Sequence, residues 1–478
     1  MNIFFGTDGW RDYLDSHINE TSVALVAQAF ADYVNQQGTG QQIAVAFDTR
    51  RNSGVFATIF SEVLSGNGIN VLLSDKVVPT PVLSFTTKNK DCFAGVMITA
   101  SHNPPVYNGI KFKSALGGPF SSEETRLVEE FLYKSAVRQS KTNVNIVDML
   151  PDYISHIESL IDFSAIRKAG IPVLIDSMGG AGKTVLQDIL HKHGCVATTI
   201  FGDASETFHG RLAEPIEQNL APLMYELNRG NFAFGVATDG DADRVGVCLD
   251  NGKWLSAQNT ILLLVDYLKR VRKASGGIIK TSSVSDKIRC FFEADDVPVH
   301  EVQVGFKYIA DIMVKEIIAF GGEESGGFGF GMHIPERDGV FSSLMLLEML
   351  AVSRFRKLSE YLADRQLAMG DIFYDRIDMH YDKPDKNNLL PWASESKISN
   401  IGDNKITKTA SFLSSRGVVN GLKFILEGDC RWLLIRSSET ENIIRYYAEG
   451  QNNKEVIELL SLGQNLLNKI SNLKQKQA

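Results

Sequence analysis

Short apolar runs rich in β-branched residues alternate with longer stretches of helical spacing over most of the chain. IAVAF at 43–47 is such a run, ending in Asp48-Thr49-Arg50, and Val55 to Leu64 carries a helical period. INVLL and GVMIT come next, the second closing at Ala100-Ser101. Strand, helix and strand in succession predict a mostly parallel sheet with helices on its faces, which puts the polar residues closing each strand at the carboxyl edge, where such sheets hold ligands. A second round has PVLID as a strand, Gly182 to Lys192 as a helix, and FAFGVAT as a strand running into Asp239-Gly240-Asp241-Ala242-Asp243-Arg244. In a third, a helix near Thr260 to Val271 precedes the strand GGIIKT, the approach HEVQVGFKYI, and the strand EIIAF, which ends in GGEESGG at 321–327. The rounds share topology, not sequence.

Residues 137–152 and 382–411 are polar and read as connections or exposed excursions. Beyond them NGLKFILE, RWLLIRS and IIRYYAE predict three strands before a closing helix from about Lys454 to Ile470, a small α+β domain, with LKQKQA as a solvated end.

The length of 478 residues suggests about three domains, with two to four all reasonable. With 44% hydrophobic and 22% charged residues there is ample material for packed cores. A net charge of −8 argues against a general nucleic-acid binder. No apolar run approaches a membrane span, and the N-terminus goes straight into FFGTDGWR without a signal-peptide pattern, so a cytoplasmic protein is the expectation. Cys92, Cys195, Cys248, Cys290 and Cys430 are scattered and odd in number, which reads as reduced thiols, most of them buried small side chains.

Four loops carry candidate chemistry. In TASHNPP at 99–105 the Ser101 hydroxyl sits just beyond a strand, and Pro104 and Pro105 stiffen the loop. Asn108-Gly109 supplies a turn, after which alternation sets Lys111 opposite its apolar neighbours. In TDGDADR three aspartates alternate over five residues; carboxylates converging there repel one another unless a hard cation sits between them, and an oxygen-only donor set favours Mg²⁺ over Zn²⁺. A calcium loop would need a Glu at its twelfth position, where Asp250 stands. In GGEESGG the glycines permit close backbone approach, while Glu323 and Ser325 can hydrogen-bond vicinal sugar hydroxyls. In RSSETEN, Arg436 and the hydroxyls of Ser438 and Thr440 make a phosphate clamp, and Glu439 falls on the outward phase of that turn. SMGGAGKT at 177–184 ends as a P-loop does, but Ser177 replaces the first required glycine; a close strand-to-helix turn is the simpler reading.

Taken in order and spacing, FGTDGWR at 5–11, TASHNPPVYNGIKF at 99–112, TDGDADR at 238–244, GGEESGG at 321–327 and RxSxTE at 436–441 resemble the motifs of the α-D-phosphohexomutase superfamily, the phosphoglucomutases and phosphomannomutases. The resemblance implies an α/β fold of four domains around a central cleft, three mixed α/β and one smaller C-terminal α+β, divided at 1–148, 149–254, 255–372 and 373–478. It implies Ser101 as the phosphoryl carrier, and Asp239, Asp241 and Asp243 as Mg²⁺ ligands joined by a phosphate oxygen on Ser101. Arg11, His102, Lys111 and Arg244 would line the reacting centre. Lys280 and Lys307 would face the cleft, Glu323 and Ser325 would clamp the sugar, and Arg436, Ser438 and Thr440 would hold the distal phosphate. The implied activity is interconversion of hexose 1-phosphate and 6-phosphate through a hexose 1,6-bisphosphate that also serves as activator, with no obligatory protein partner. Ser325-Gly326-Gly327 in place of Ser-Gly-His resembles glucose-preferring or dual members. Mannose or glucosamine phosphate, synthesis of glucose 1,6-bisphosphate, and a regulatory sugar-phosphate binder are the alternatives. A P-loop kinase would leave the aspartate loop unexplained.

Overall fold

The computed structural model describes the chain except residues 1–2, 7–8, 397, 415, 439–441 and 476–478. The chain divides into two compact units, one of Met1–Ile278 with Phe306–Arg365 and one of Ile279–Gly305 with Gln366–Ala478.

The first unit begins with a sheet of β1 (Trp10–Tyr13), β2 (Gln42–Phe47), β3 (Asn70–Ser74), β4 (Ala94–Ile98), β5 (Tyr107–Ser114) and β6 (Val144–Val147), in the order β1-β5-β4-β2-β3-β6. Strands β4, β2, β3 and β6 run parallel, while β5 returns antiparallel beside β4 and β1 antiparallel beside β5. Helix Glu20–Gln37 is started by a capping box of Asn19 and Ser22, which satisfies amides left without intrahelical acceptors. Its Phe30 stacks on Phe112 of β5 at 4.6 Å, with Phe60 and Phe120 against the same pair, so an aromatic cluster anchors the strand that carries Lys111.

The second sheet has β7 (Val173–Asp176), β8 (Ala197–Ile200), β9 (Phe234–Thr238), β10 (Val245–Leu249) and β11 (Trp254–Leu255), in the order β11-β10-β9-β7-β8. Again a parallel core, β9-β7-β8, is extended by antiparallel strands. Strand β12 (Gly277–Thr281) carries the chain across the unit boundary, β13 (Val299–Val302) lies in the second unit, and β14 (Ile318–Gly322) and β15 (Phe328–Phe330) form an antiparallel hairpin in the first. Helix Gly339–Val352 is mostly apolar and almost wholly buried, as an interior helix should be, with its one carboxylate, Glu348, paired with Arg272 at 2.7 Å.

The second unit holds an antiparallel sheet of β16 (Phe373–His380), β17 (Asn400–Ile401), β18 (Asn404–Leu413), β19 (Val419–Leu426), β20 (Trp432–Ser437) and β21 (Ile443–Gly450), in the order β16-β21-β20-β19-β18-β17. Helices Lys386–Glu395 and Asn453–Gln475 cover one face through Leu389, Leu390, Leu459, Leu460 and Leu467.

Three expectations need correction. Asn108-Gly109 is not a turn: both residues lie inside β5, paired with Asp12 and Arg11 of β1. Residues 137–152 contain edge strand β6, whose Asn145 and Ile146 are exposed, so a two-sided apolar pattern is missing. Residues 382–411 are not an excursion: they supply helix Lys386–Glu395, β17 and most of β18, a strand exposed at most alternate positions and therefore polar in sequence. Of the cysteines, Cys92, Cys195 and Cys248 are buried, while Cys290 is exposed and Cys430 half-buried, their sulfurs 3.4 Å apart within the second unit. Among the described residues no helix is long and apolar enough to cross a membrane.

Candidate active site

Ser101 closes β4 in a left-handed backbone conformation (φ 52°) that L residues adopt at a cost. Two buried groups hold it there. Thr99 Oγ1 accepts from the Ser101 amide at 2.8 Å and donates to Asp48 at 2.6 Å. Arg50, buried beneath the loop, donates to the carbonyl oxygens of Ser101 (2.6 Å), Asn103 (2.5 Å), Pro104 (2.9 Å) and Tyr107 (3.0 Å), and lies 4.8 Å from the centre of the Phe208 ring. The Ser101 hydroxyl, fully buried, donates to Asp239 at 2.9 Å.

Asp239, Asp241 and Asp243 occupy the connection between β9 and β10, and one oxygen of each lies within 4.8 Å of the others. All three are fully buried. Unit charges so placed repel by about 3 kcal/mol per pair at an effective dielectric near 20. Burial, then Asp243 and Asp241, push the Asp239 carboxyl well above its ordinary range. Burial also works to raise Asp241, but Lys111, a Thr80 hydrogen bond and Arg337 more than offset it, and its carboxyl is held below the ordinary range. Lys111 Nζ donates to Asp241 at 2.8 Å and Asp243 at 3.1 Å, and Thr80 Oγ1 donates to Asp241 at 2.7 Å. Asp241 Oδ1 and Asp243 Oδ1 remain buried without a hydrogen-bond partner. Buried carboxylate oxygens without partners, on residues clustered this closely, fit a divalent, oxygen-seeking cation.

The other expected side chains of the reacting centre gather here. Arg244 lies 3.8 Å from Asp243 and 4.0 Å from Asp239, and Arg11 donates to Asn103 in the serine loop at 3.2 Å. Burial, followed by the cations Arg244, Arg11 and Lys111, drives His102 well below the usual histidine range, so its imidazole is neutral at pH 7. The sugar loop joins β14 to β15, and its Gly326 carbonyl accepts from the Val245 amide at the start of β10 (2.9 Å). Glu323 is buried and its carboxyl is raised to about 7 by burial, against the pull of Arg337; Ser325 is half-buried. Lys307 is buried and donates to Ser122 at 2.6 Å.

Lys280, Arg436 and Ser438 belong to the second unit. Lys280 is fully buried, paired with Asp286 at 2.8 Å and Glu301 at 2.6 Å, and Glu301 also takes Lys423 at 2.7 Å. Arg436 on β20 faces Arg445 on β21 directly across the ladder. Like charges so paired are unfavourable unless an anion joins them, and Asp378 already lies 3.2 Å from Arg445. Ser438 is buried, and Thr440 and Glu439 lie outside the described residues.

Sequence reasoning missed Arg50, Thr80 and Arg337. The Asp-Thr-Arg that closes β2 was visible as a strand end, but nothing local says that Arg50 reaches a loop some fifty residues on. The P-loop-like turn is tied largely to its own surroundings. Four of its amides go to backbone carbonyls, Gly179 to Phe201, Gly180 to Ser177, Lys183 to Gly180, and Ala181 to Gly240 of the metal loop at 2.9 Å. It buttresses the aspartates.

Models of phosphoglucomutase/phosphomannomutase α/β/α domains I, II and III match residues 2–138, 151–252 and 256–367. The chain is 28% identical over 479 residues to the phosphoglucomutase/phosphomannomutase of Thermococcus kodakarensis, covering 98% of this chain and 99% of that one. It is 29% identical over 460 residues to the phosphoglucosamine/phosphogalactosamine mutase of Sulfurisphaera tokodaii, covering 94% and 96%. The structure of the Paramecium phosphoglucomutase parafusin superposes with a TM-score of 0.80 at 20% identity, covering 97% of this chain and 96% of that chain, a likeness of fold. This chain belongs to the phosphoglucomutase/phosphomannomutase family. It is an isomerase of the phosphohexomutase class, with the multi-domain α/β architecture of that family.

Proposed function

We propose that the chain interconverts hexose 1-phosphates and hexose 6-phosphates, with a phosphoryl group carried on Ser101. The observation that carries this reading is the fully buried Ser101 hydroxyl 2.9 Å from Asp239, one of three clustered carboxylates. Asp239, Asp241 and Asp243 would hold Mg²⁺, which when bound offsets charge on the transferring oxygens. The protein's own groups do the rest. Lys111 and Arg244 bring fixed positive charge to the transferring group, and neutral His102 can hydrogen-bond there without adding charge; the proton lost by the attacking hydroxyl is balanced by the one the Ser101 oxygen regains when it leaves. Glu323 and Ser325 orient the sugar. In the second unit Arg436 and Ser438 hold the phosphate that is not reacting, and Arg445 opposite Arg436 adds a second guanidinium to that face. The phosphoserine gives its phosphoryl group to the free hydroxyl of the monophosphate, and the resulting hexose 1,6-bisphosphate reorients and returns its other phosphate to Ser101.

Glucose phosphate is the substrate that EESGG suggests. Several of the similar proteins carry the name phosphoglucosamine mutase and one the name phosphoglucomutase/phosphomannomutase, so the likenesses favour the alternatives, glucosamine or mannose phosphate, over glucose. A panel of hexose 1-phosphates with Mg²⁺ and a trace of bisphosphate separates them: the faster rate names the substrate, and faster turnover of glucosamine 1-phosphate overturns the glucose preference. Ser101→Ala should lose at least about a thousandfold in kcat while staying folded, because it removes the covalent route. Wild-type turnover in that variant would overturn the mechanism, as would full activity of EDTA-stripped enzyme for the metal assignment.

A further inference from the structure

Gly327, the last residue of the sugar loop, does not have the positive φ that would demand glycine. What excludes a side chain is space: a Cβ there would lie 2.4 Å from Arg337 Cδ, 3.0 Å from Arg337 Cγ and 3.2 Å from Glu323 Oε2. The glycine makes room for an arginine. The guanidinium of Arg337 is 6% exposed and is shared between two loops, with Nη2 2.7 Å from Asp243 Oδ2 and Nη1 3.5 Å from Glu323 Oε2. It lies 5.5 Å from the centre of the Phe306 ring.

The neighbours of Arg337 fix its backbone on both sides. Glu336 bonds Lys113, the two of them fully buried. Asp338 caps helix Gly339–Val352 by accepting from the Phe341 amide at 2.8 Å, and also takes the Tyr153 hydroxyl at 2.8 Å and contacts His333 Nε2 at 3.0 Å. The Gly339 amide donates to Ala242 in the metal loop at 3.1 Å. With its stem set against Gly327 and its chain tied to the metal loop, Arg337 has little freedom to leave either carboxylate.

We propose that Arg337 is a positioning residue that couples the sugar loop to the metal loop, holding Glu323 in its place while competing with the cation for Asp243. This rests on the reading of Glu323 and the aspartates given above. A guanidinium shared in this way has effects of opposite sign on the two loops. Removing it leaves Glu323 without the cation that orients it, so sugar binding weakens. The same removal strips a positive charge from the aspartate cluster, so a divalent cation binds more tightly. A merely structural role would weaken both together.

The test uses the full chain with Arg337→Met, which keeps much of the stem, and Arg337→Lys, which keeps the charge. Mn²⁺ binding to EDTA-stripped protein, followed by electron paramagnetic resonance, needs no turnover. The expected result is Mn²⁺ bound at least about threefold more tightly by Arg337→Met, with KM for glucose 1-phosphate raised at least about tenfold. Arg337→Lys should bring KM back to within about threefold of wild type. Weakening of metal and sugar together, or movement of neither, overturns the proposal. Gly327→Ala should lower the melting temperature of wild type more than it lowers that of Arg337→Ala, since the collision is between those two side chains. An equal loss in both backgrounds refutes the packing argument. A wild-type enzyme that turned over no hexose phosphate would sink the proposed function, while Mn²⁺ binding and the melting pair would still judge Arg337.

Discussion

Arg50 never reaches solvent, yet its guanidinium organises the loop on which the chemistry depends. Four carbonyl oxygens between Ser101 and Tyr107 converge on it, and Asp48 stands 3.3 Å from its Nε. Burial lowers the affinity of this guanidinium for its proton and Asp48 restores much of it, so the charge is retained at the expense of desolvation that only a well-made set of acceptors offsets. A lysine could supply the charge but not a planar fork reaching several carbonyls at once. Arg50→Lys is therefore expected to lower kcat about a hundredfold while KM for the hexose phosphate stays within about threefold, because the nucleophile loses its position and the sugar clamp does not. Steady-state kinetics beside intact-mass measurement of phosphoserine checks this. A KM that rises in step with the fall in kcat would assign Arg50 to substrate binding instead. Gly326 makes a complementary case: its φ of +85° and a would-be Cβ 2.4 Å from the Val245 carbonyl exclude any other residue for reasons of torsion and space together.

All four chemistry-bearing loops join neighbouring antiparallel strands: β4 to β5, β9 to β10, β14 to β15 and β20 to β21. A hairpin pins both ends of its loop to one ladder, which suits side chains that must be held to within about half an ångström. For β4 and β9 the outgoing strand is also parallel to its other neighbour, so the carboxyl-edge location read from the sequence and the hairpin found in the structure are both true. The P-loop-like turn shows the limit of motif reading. Its residue types suit phosphate binding, but most of its glycine-loop amides go to carbonyls, Gly240 among them. Lys183→Ala is accordingly expected to keep kcat and KM within about twofold, with no ATP bound in a calorimeter; measurable ATP binding lost in the variant would restore the nucleotide reading. The strands with strong apolar cores and the loops ending them were legible because local pattern determines both. Strand β18, with its Lys405, Thr407 and Lys408, was not, because its place in the sheet is set by pairing with β19 rather than by a buried face. Arg50, Thr80 and Arg337 were illegible for the related reason that their partners lie far along the chain.

Both units bury titratable groups, and different groups govern how each responds to acid. In the first unit, without metal, burial raises Asp48, Asp239 and Glu323, the last to about 7 from an ordinary value of 4.5. A carboxyl whose folded affinity for protons exceeds its unfolded affinity stabilises the fold most at low pH, and that contribution declines as pH rises from about 4.5 to 7. For Glu323 alone it amounts to about 3 kcal/mol. In the second unit burial works to raise Asp286 and Glu301, but Lys280 and Lys423 more than offset it and hold both below their ordinary range. Their contribution is fully present above about pH 4.5 and is lost as pH falls through the depressed folded values. Glu449 in the same unit is raised by burial despite hydrogen bonds from Ser285, Asp286 and Trp432, and it subtracts from that acid sensitivity. Calorimetry of EDTA-treated protein should resolve more than one transition, as is usual for multi-domain chains. Hydrogen exchange can assign each transition to its unit. From pH 7.5 to 5 the first unit's transition in wild type should gain on that of Glu323→Gln, with or without metal; burial of His102 and His156, held below the ordinary histidine range, acts in the opposite sense and equally in both proteins. Below about pH 4.5 the second unit's transition should move downward. Saturating Mg²⁺ at pH 7.5 should raise the first transition, because the cation supplies counter-charge to the aspartates. An equal pH dependence in wild type and Glu323→Gln, or a first unit indifferent to Mg²⁺, would contradict this assignment of the buried charges.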